Sequence, residues 1–172
     1  CRSRGRGGLG VARGGGGGGR GGVGLVGYGG LAAAHATAID ATSGRRLRGI
    51  CDLSAERREM AAREWHVPTH SSAAELFDDP DVELVVVGTP PSAHADTVLA
   101  ALASGKHVVC EKPFALRVQA VDWMSDTAAA RELVLDGYQS RRGDATATSL
   151  RDAGTSSTPA QSCHVGSPIC WY

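Results

Sequence analysis

The stretch V23-G-L-V-G-Y-G-G-L-A-A-A-H35 decides the fold of this chain. A short apolar run of strand length enters a cluster of glycines, and alanine-rich sequence of helical character follows. Gly27, Gly29 and Ala32 therefore form the pattern G-x-G-x-x-A at a turn between a strand and a helix. Residues 1–22 hold 12 of the chain's 24 glycines, so this cluster could also be a chance extension of a glycine tract.

The composition is that of one ordinary domain. The chain has 172 residues, 42% of them hydrophobic, and a formal net charge of zero. No run approaches the roughly 18 apolar residues that span a bilayer, so we expect a cytoplasmic protein without membrane contact. Five cysteines without framework spacing predict no disulfides. Cys163, His164 and Cys170 lack a second pair of ligands, and we predict no metal site.

Composition also divides the chain into three parts. Residues 1–22 are a Gly/Arg-rich leader that we expect to be disordered, residues 23–144 alternate apolar runs with helix-like segments, and residues 145–172 form an irregular tail. The leader has five arginines and resembles RGG segments, which bind RNA. It has no aromatic residue to stack on a base, so RNA binding is an alternative that the sequence does not favour.

The middle part predicts an α/β fold. Strand-length apolar runs lie at residues 23–27, 47–51, 83–88, 106–110 and 133–138, and helical segments lie at 31–41, 54–64, 72–77, 91–104 and 118–131, with a short strand before the third helix. S72-A-A-E75 is typical of a capping box, Pro91 suits a first helical turn, and Gly105 suits the residue after a helix end. This alternation predicts a doubly wound parallel sheet of the Rossmann type, with helices on both faces.

In that architecture the glycine turn predicts a dinucleotide site. Gly27 would permit the tight turn, Gly29 would let the backbone approach a pyrophosphate, and the amides of Gly30 and Leu31 would point at phosphate from the helix N-terminus. Asp52 ends the second strand 20 residues after Ala32, where a carboxylate accepts hydrogen bonds from the adenosine ribose. The alternative is a plain glycine-rich turn with an aspartate that only caps the next helix.

The cofactor is predicted to be NAD, with NADP possible. A 2′-phosphate would face the Asp52 carboxylate, which favours NAD, whereas Arg57 and Arg58 lie near enough in sequence to accommodate that phosphate.

Residues 23 to about 142 resemble the N-terminal domain of the Gfo/Idh/MocA oxidoreductases. The resemblance rests on G27-Y-G-G-L-A-A-A-H35, V85-V-V-G-T-P-P-S-A-H94, A101-L-A-S-G-K-H-V-V-C-E-K-P-F114 and Y138-Q-S-R-R142. The third stretch is the most specific, because E-K-P after a G-K-H-V strand is that family's hallmark. The resemblance implies reversible hydride transfer between nicotinamide and a secondary alcohol of a sugar, inositol or similar polyol.

Lys112 is the predicted catalytic residue. The triplet Glu111-Lys112-Pro113 follows the fifth strand, at the carboxyl edge of the sheet where doubly wound folds bind ligands. Pro113 restricts the backbone and directs the lysine side chain into the crevice. An ammonium there can polarise a substrate hydroxyl or share its proton, which is the role that the resemblance implies. The alternative is a solvated lysine at a strand end.

Further residues are expected around the cofactor, at the turns that carry the motifs. Thr89 and Pro90 end the fourth strand and, in resembling proteins, form the lip over the nicotinamide half. Tyr28 in the glycine turn and Glu111 beside Lys112 are also expected to contact the cofactor. His94 lies in the first turn of the next helix, where family members often carry a histidine, and a helix-surface position is an equal alternative. His35 is expected to pack or hydrogen-bond near the glycine turn.

The substrate domain of the resembling family is expected to be missing from this chain. Its Asp-x-x-x-His motif does not occur after Arg142, and the break after Gly143-Asp144 resembles a truncation or a change of reading frame. We therefore expect a dinucleotide-binding domain whose active site is incomplete, or a non-catalytic nucleotide-binding fragment. A homo-oligomer is possible for the full-length parent.

Overall fold

A computed structural model describes residues 21–137 of the chain. The elements, in chain order, are β1 (Gly21–Val26), α1 (Ala32–Ala41), β2 (Arg45–Cys51), α2 (Ala55–Trp65), β3 (Thr69–His70), α3 (Ala73–Phe77), β4 (Val82–Val87), α4 (Pro91–Ala103), β5 (His107–Cys110), α5 (Val118–Ala130) and β6 (Leu135–Gly137). The six strands form one parallel sheet in the order β3-β2-β1-β4-β5-β6. This confirms the predicted α/β fold, and the strand order is that of a Rossmann domain.

The first strand begins earlier than the sequence predicts. Gly21 and Gly22, which composition assigns to the leader, belong to β1, and the Gly21 amide donates a 2.7 Å hydrogen bond to the Gly44 carbonyl. Composition alone could not separate these glycines from the tract before them, because strand pairing with β2 and β4 places them. The remaining leader and the tail, including Cys163, His164 and Cys170, lie outside the described residues.

Apolar side chains cover both faces of the sheet. On β4, Val85 and Val87 pack into a cluster with Val98 and Leu102 of α4, while Val86 between them faces the opposite cluster. The opposite cluster includes residues of α1 and α2. Burial on both faces explains why the second half of β4, residues 85–87, is a continuous run of valines rather than an alternating pattern.

Two strand glycines let the short helix α3 approach the sheet. A Cβ added at Gly24 would lie 2.9 Å from Leu76 Cδ2, and one added at Gly49 would lie 2.8 Å from Leu76 Cδ1. Leu76 is fully buried above these two glycines. The glycines of β1 and β2 are therefore packing positions and not merely part of a glycine-rich composition.

Helix boundaries follow the local signals closely. Pro91 is the first residue of α4, and Gly105 lies just past its end with φ +76°. Of the two hydrogen bonds of a capping box before α3, only the one accepted by the serine side chain is present. Ser72 Oγ accepts a 3.3 Å hydrogen bond from the Ala74 amide, but the Glu75 carboxylate lies 3.4 Å from His70 Nδ1. A histidine on the neighbouring strand attracts this carboxylate, which a local pattern cannot reveal.

No helix within residues 21–137 combines the length and the apolar character that crossing a bilayer requires.

Candidate dinucleotide site

The candidate site lies at the carboxyl edge of the sheet, where the strand order reverses. β2 and β4 flank β1 on its two sides, so the chain leaves β1 and β4 toward opposite faces and opens a crevice between them. The turns after β1, β2, β4 and β5 meet at this edge. They carry the residues that the sequence predicts for the site, except His94, which lies in the first turn of α4.

Gly27 makes the first turn possible. It has φ +92°, and an added Cβ would lie 2.7 Å from both the carbonyl carbon and the oxygen of Gly88. Its amide donates a 2.8 Å hydrogen bond to the Cys51 carbonyl. Gly27 therefore lets the turn after β1 pass directly against the turn after β4, as expected of the first glycine.

Gly29 and Gly30 face open space. A Cβ added at either position would meet no heavy atom within 4 Å, in contrast to the crowding at Gly27. Helix α1 starts just beyond, with exposed Leu31 at its N-cap and buried Ala32 as its first residue. This open cradle at a helix N-terminus fits a pyrophosphate, which the backbone amides and the helix dipole attract.

The Tyr28 side chain points into the protein. Its hydroxyl donates to Glu64 Oε2 at 2.6 Å and accepts from Trp65 Nε1 at 2.8 Å, both at the end of α2. Burial, followed by the hydrogen bond to Glu64, raises the pKa of Tyr28. The ring anchors the glycine turn on α2, so the Tyr28 hydroxyl is already engaged within the protein. Glu64 and Trp65 carry no motif, and nothing in the sequence singled them out.

Asp52 connects the turns after β1 and β2. One carboxylate oxygen accepts a 2.7 Å hydrogen bond from the Tyr28 amide, and the other accepts a 2.8 Å bond from the Ser54 amide. Ser54 itself caps α2, with its hydroxyl 3.4 Å from the Arg57 amide. Each carboxylate oxygen has a further lone pair, so Asp52 can still accept a ribose hydroxyl.

Two arginines flank Asp52 in different ways. Arg57 Nη1 lies 3.7 Å from Asp52 Oδ2, and its side chain is more than half exposed. Arg58 Nη1 instead donates to the backbone carbonyls of Asp52 and Leu53, at 2.8 and 2.9 Å. Arg57 is therefore the arginine with a guanidinium free to move toward a phosphate.

Thr89 contributes an unpaired polar atom at the end of β4. Its hydroxyl oxygen is buried and has no hydrogen-bond partner among the described residues. Buried hydroxyls nearly always have a partner, so this atom is available to an ordered water or to a bound group. Pro90, the N-cap of α4, is exposed beside it.

Glu111 holds the turn of Lys112. Its Oε1 accepts a 2.7 Å hydrogen bond from His35 Nε2 on α1, and its Oε2 accepts a 2.9 Å bond from the Lys112 amide. The Glu111 side chain is 7% exposed and that of His35 10%. His35 therefore hydrogen-bonds beside the glycine turn as expected, and Glu111 faces α1. Lys112 itself is exposed and precedes a cis peptide bond to Pro113.

His94 is buried, which makes the helix-surface alternative wrong. It is 1% exposed, and its ring nitrogens lie 2.7 Å from the Thr89 carbonyl oxygen and 2.9 Å from the Pro113 carbonyl oxygen. The sequence placed His94 in the first helical turn correctly. It could not show that the loop after β5 folds over that turn and covers the ring.

The fold and the open glycine cradle together define a dinucleotide-binding Rossmann domain. Residues 22–137 match the family model described as "Oxidoreductase family, NAD-binding Rossmann fold". The chain belongs to this family, the Gfo/Idh/MocA oxidoreductases, and the resemblance inferred from the sequence is confirmed.

Two of the relatives are named as dehydrogenases of a sugar phosphate and of an inositol. The chain is 34% identical to the glucose-6-phosphate 3-dehydrogenase of Bacillus subtilis, over 62% of this chain and 30% of that protein. It is 30% identical to the myo-inositol 2-dehydrogenase of Thermotoga maritima, over 76% of this chain and 40% of that protein. The chain thus spans less than half the length of these two relatives.

Among the solved structures similar to this chain, one contains NADH and another contains NADP+. The WlbA dehydrogenase of Bordetella pertussis, in complex with NADH and UDP-GlcNAcA, has a TM-score of 0.74 and 27% identity over 78% of this chain and 41% of that one. The biliverdin reductase of Synechocystis, in complex with biliverdin and NADP+, has a TM-score of 0.73 and 26% identity over 77% and 42%. The predicted cofactor, NAD with NADP possible, agrees with these findings.

Proposed function

We propose that this chain binds NAD at the crevice between β1 and β4, and that it forms the cofactor side of an active site for hydride transfer to and from a secondary alcohol. The observation that carries the proposal is the open cradle at Gly29 and Gly30 at the start of α1, which suits a pyrophosphate. The unpaired Thr89 hydroxyl at the end of β4 supports it as a polar atom available to a bound group.

The residues divide between the two halves of the cofactor. Gly29, Gly30 and Asp52 follow β1 and β2, on the side where the pyrophosphate and the adenosine ribose would lie. Thr89 and Lys112 follow β4 and β5, on the other side of the switch point. An extended dinucleotide across the switch point would therefore reach both sets.

Lys112 is proposed as the residue that contacts the reacting alcohol. NAD supplies the hydride acceptor when it is bound. The exposed Lys112 side chain makes no ion pair within residues 21–137. Its ammonium form can donate a hydrogen bond to the substrate oxygen and release a proton to it during reduction, and its neutral amine form can take the proton of the alcohol during oxidation. Its backbone is fixed from the Glu111 side, so the side chain leaves from a rigid turn.

The proposed substrates are sugars, inositols or similar polyols. Relatives that act on glucose 6-phosphate and on myo-inositol support this class, although a biliverdin reductase has a similar fold. Hydride transfer also requires a substrate held in a near-attack geometry with water excluded. The described residues supply the cofactor side only, so we expect the 172-residue chain to bind NADH without turning over a polyol.

Calorimetric titration with NADH, NADPH and ATP tests the proposal. We expect saturable binding of NADH at one site, with ATP as a control for adenine recognition alone. NADH production from a panel of sugars and inositols is then measured with the same chain. Absence of NADH binding would contradict the proposal, and robust turnover would show that the active site is complete within this chain. In a protein that turns over, Lys112→Ala should lower the rate by about 100-fold or more.

A further inference from the structure

His94 joins the two turns that carry Thr89 and Lys112. The histidine lies on α4, whose first residue follows the Thr89-Pro90 turn directly. One ring nitrogen faces the Thr89 carbonyl oxygen at 2.7 Å and the other faces the Pro113 carbonyl oxygen at 2.9 Å. The ring therefore bridges the ends of the neighbouring strands β4 and β5 across the crevice edge.

The bridge has little freedom to adjust. The ring is 1% exposed, so neither carbonyl can exchange its contact for bulk water without opening the packing. Both partners are acceptors. A neutral imidazole donates to one of them at a time, and the imidazolium form donates to both. In either form the ring lies between the turn of Thr89 and the turn of Lys112 and donates a hydrogen bond to at least one of them.

These two turns carry the nicotinamide side of the proposed site. The adenosine side is held by a separate set of contacts, from Asp52 to the Tyr28 amide and from Tyr28 to α2. None of the hydrogen bonds of His94 reaches that second set. A change at His94 should therefore disturb one half of the cofactor and leave the other half in place.

We propose that His94 is a positioning residue that sets the nicotinamide half of the site by holding the Thr89 and Lys112 turns together. The inference rests on the proposed function, because it assumes that the dinucleotide crosses the switch point. This role requires no direct contact between His94 and the cofactor. His94 acts through the Thr89 backbone and through Pro113, the residue that follows Lys112.

The test compares two ligands that differ in the nicotinamide. NADH occupies both halves, whereas ADP-ribose lacks the nicotinamide ring and keeps the adenosine, the pyrophosphate and the second ribose. His94→Phe keeps a ring of similar size without a donor, and His94→Gln keeps an amide donor. The matched control is His66→Asn, because His66 is an exposed histidine whose left-handed φ of 53° asparagine tolerates.

We expect His94→Phe to weaken NADH binding by about tenfold, as loss of hydrogen bonds that fix the turn would do, with ADP-ribose affinity within twofold of wild type. His94→Gln should recover part of the loss, and His66→Asn should change neither affinity. Equal losses for both ligands would overturn the inference and assign His94 a purely structural role. Equal losses of NADH affinity in His94→Phe and His94→Gln would also overturn the inference. If the wild type binds neither ligand, the proposed function fails first.

A measurement on the wild-type chain covers the case in which His94→Phe does not fold. With 15N-labelled histidine, the ring signals of His94 are recorded on addition of each ligand. We expect the chemical shifts of these signals to change with NADH and to stay the same with ADP-ribose, because only NADH places a nicotinamide against the Thr89 turn. Signals that move equally with both ligands, or with neither, would refute the positioning role.

Discussion

Replacing Gly29 by valine should abolish cofactor binding without destabilising the fold. An added Cβ at Gly29 meets nothing within 4 Å, so the valine side chain projects into open space at the start of α1. That space is where a pyrophosphate would lie against the helix N-terminus. The substitution therefore competes with the ligand and not with the protein's own packing.

The expected magnitudes follow from the contacts. Hydrogen bonds to a charged group contribute about 1.5–3 kcal/mol each, so losing two amide contacts to the pyrophosphate should weaken NADH binding by at least about 100-fold. Stability should change by no more than about 0.5 kcal/mol, as for other exposed positions without special contacts.

Gly27→Ala provides a contrast, because its first expected effect is on folding stability. Its Cβ would lie 2.7 Å from Gly88 backbone atoms and 2.9 Å from the Thr89 amide, and the residue has φ +92°. Overpacking against backbone and the unfavourable φ should together cost about 2–5 kcal/mol of folding free energy. Calorimetry with NADH and urea unfolding measure the two quantities. A Gly29→Val chain that binds NADH as tightly as wild type would refute the reasoning.

Three further predictions concern other parts of the domain. Asp52→Ala should lower the ratio of NADH to NADPH affinity, because it removes the carboxylate that would repel a 2′-phosphate; calorimetry giving an unchanged ratio would exclude Asp52 from the ribose site. Lys106→Met should cost about 2–4 kcal/mol in urea unfolding, since the buried ammonium donates to two backbone carbonyls at 2.8 Å, while NADH affinity stays as it is. Burial raises the pKa of Cys51 to about 11 and that of Cys110 to about 12, so at pH 8 both should react with iodoacetamide far more slowly in the native chain than in urea. Peptide mass spectrometry resolves the two sites, and equal labelling in both states would contradict the burial argument.

The features that sequence predicts well are those with local causes. Pro91 starts α4 and Gly105 follows its end, because φ restriction and φ freedom act at the residue itself. Gly27 likewise occupies the tight turn that the pattern requires. The alternation of valine-rich strands with helical segments is repeated along the chain, so it predicts the whole parallel sheet.

The features that sequence misses depend on distant partners. Tyr28 is part of the glycine motif, yet its side chain leaves the crevice because Glu64 and Trp65, more than 30 residues away, offer it hydrogen bonds. His94 could equally have lain on the surface of α4, and the carbonyls of Thr89 and Pro113 decide its position. The His94 contacts require the register of β4 against β5, and the Tyr28 contacts require the packing of α2 against the glycine turn. No local signal encodes either.

The two lysines of the chain show how fold position separates residues that sequence treats alike. Lys106 and Lys112 are the only lysines, and both lie in the hallmark run around β5. Lys106 precedes the strand, is 8% exposed and bonds the carbonyls of Asp79 and Val82 near the amino end of β4. Lys112 follows the strand and is exposed at the edge that carries the glycine turn. The four residues of β5, about 13 Å of backbone, lie between the two lysines. In a parallel sheet the carboxyl ends of all strands lie at one edge. Whether a lysine precedes or follows β5 therefore determines whether it can reach a ligand at that edge.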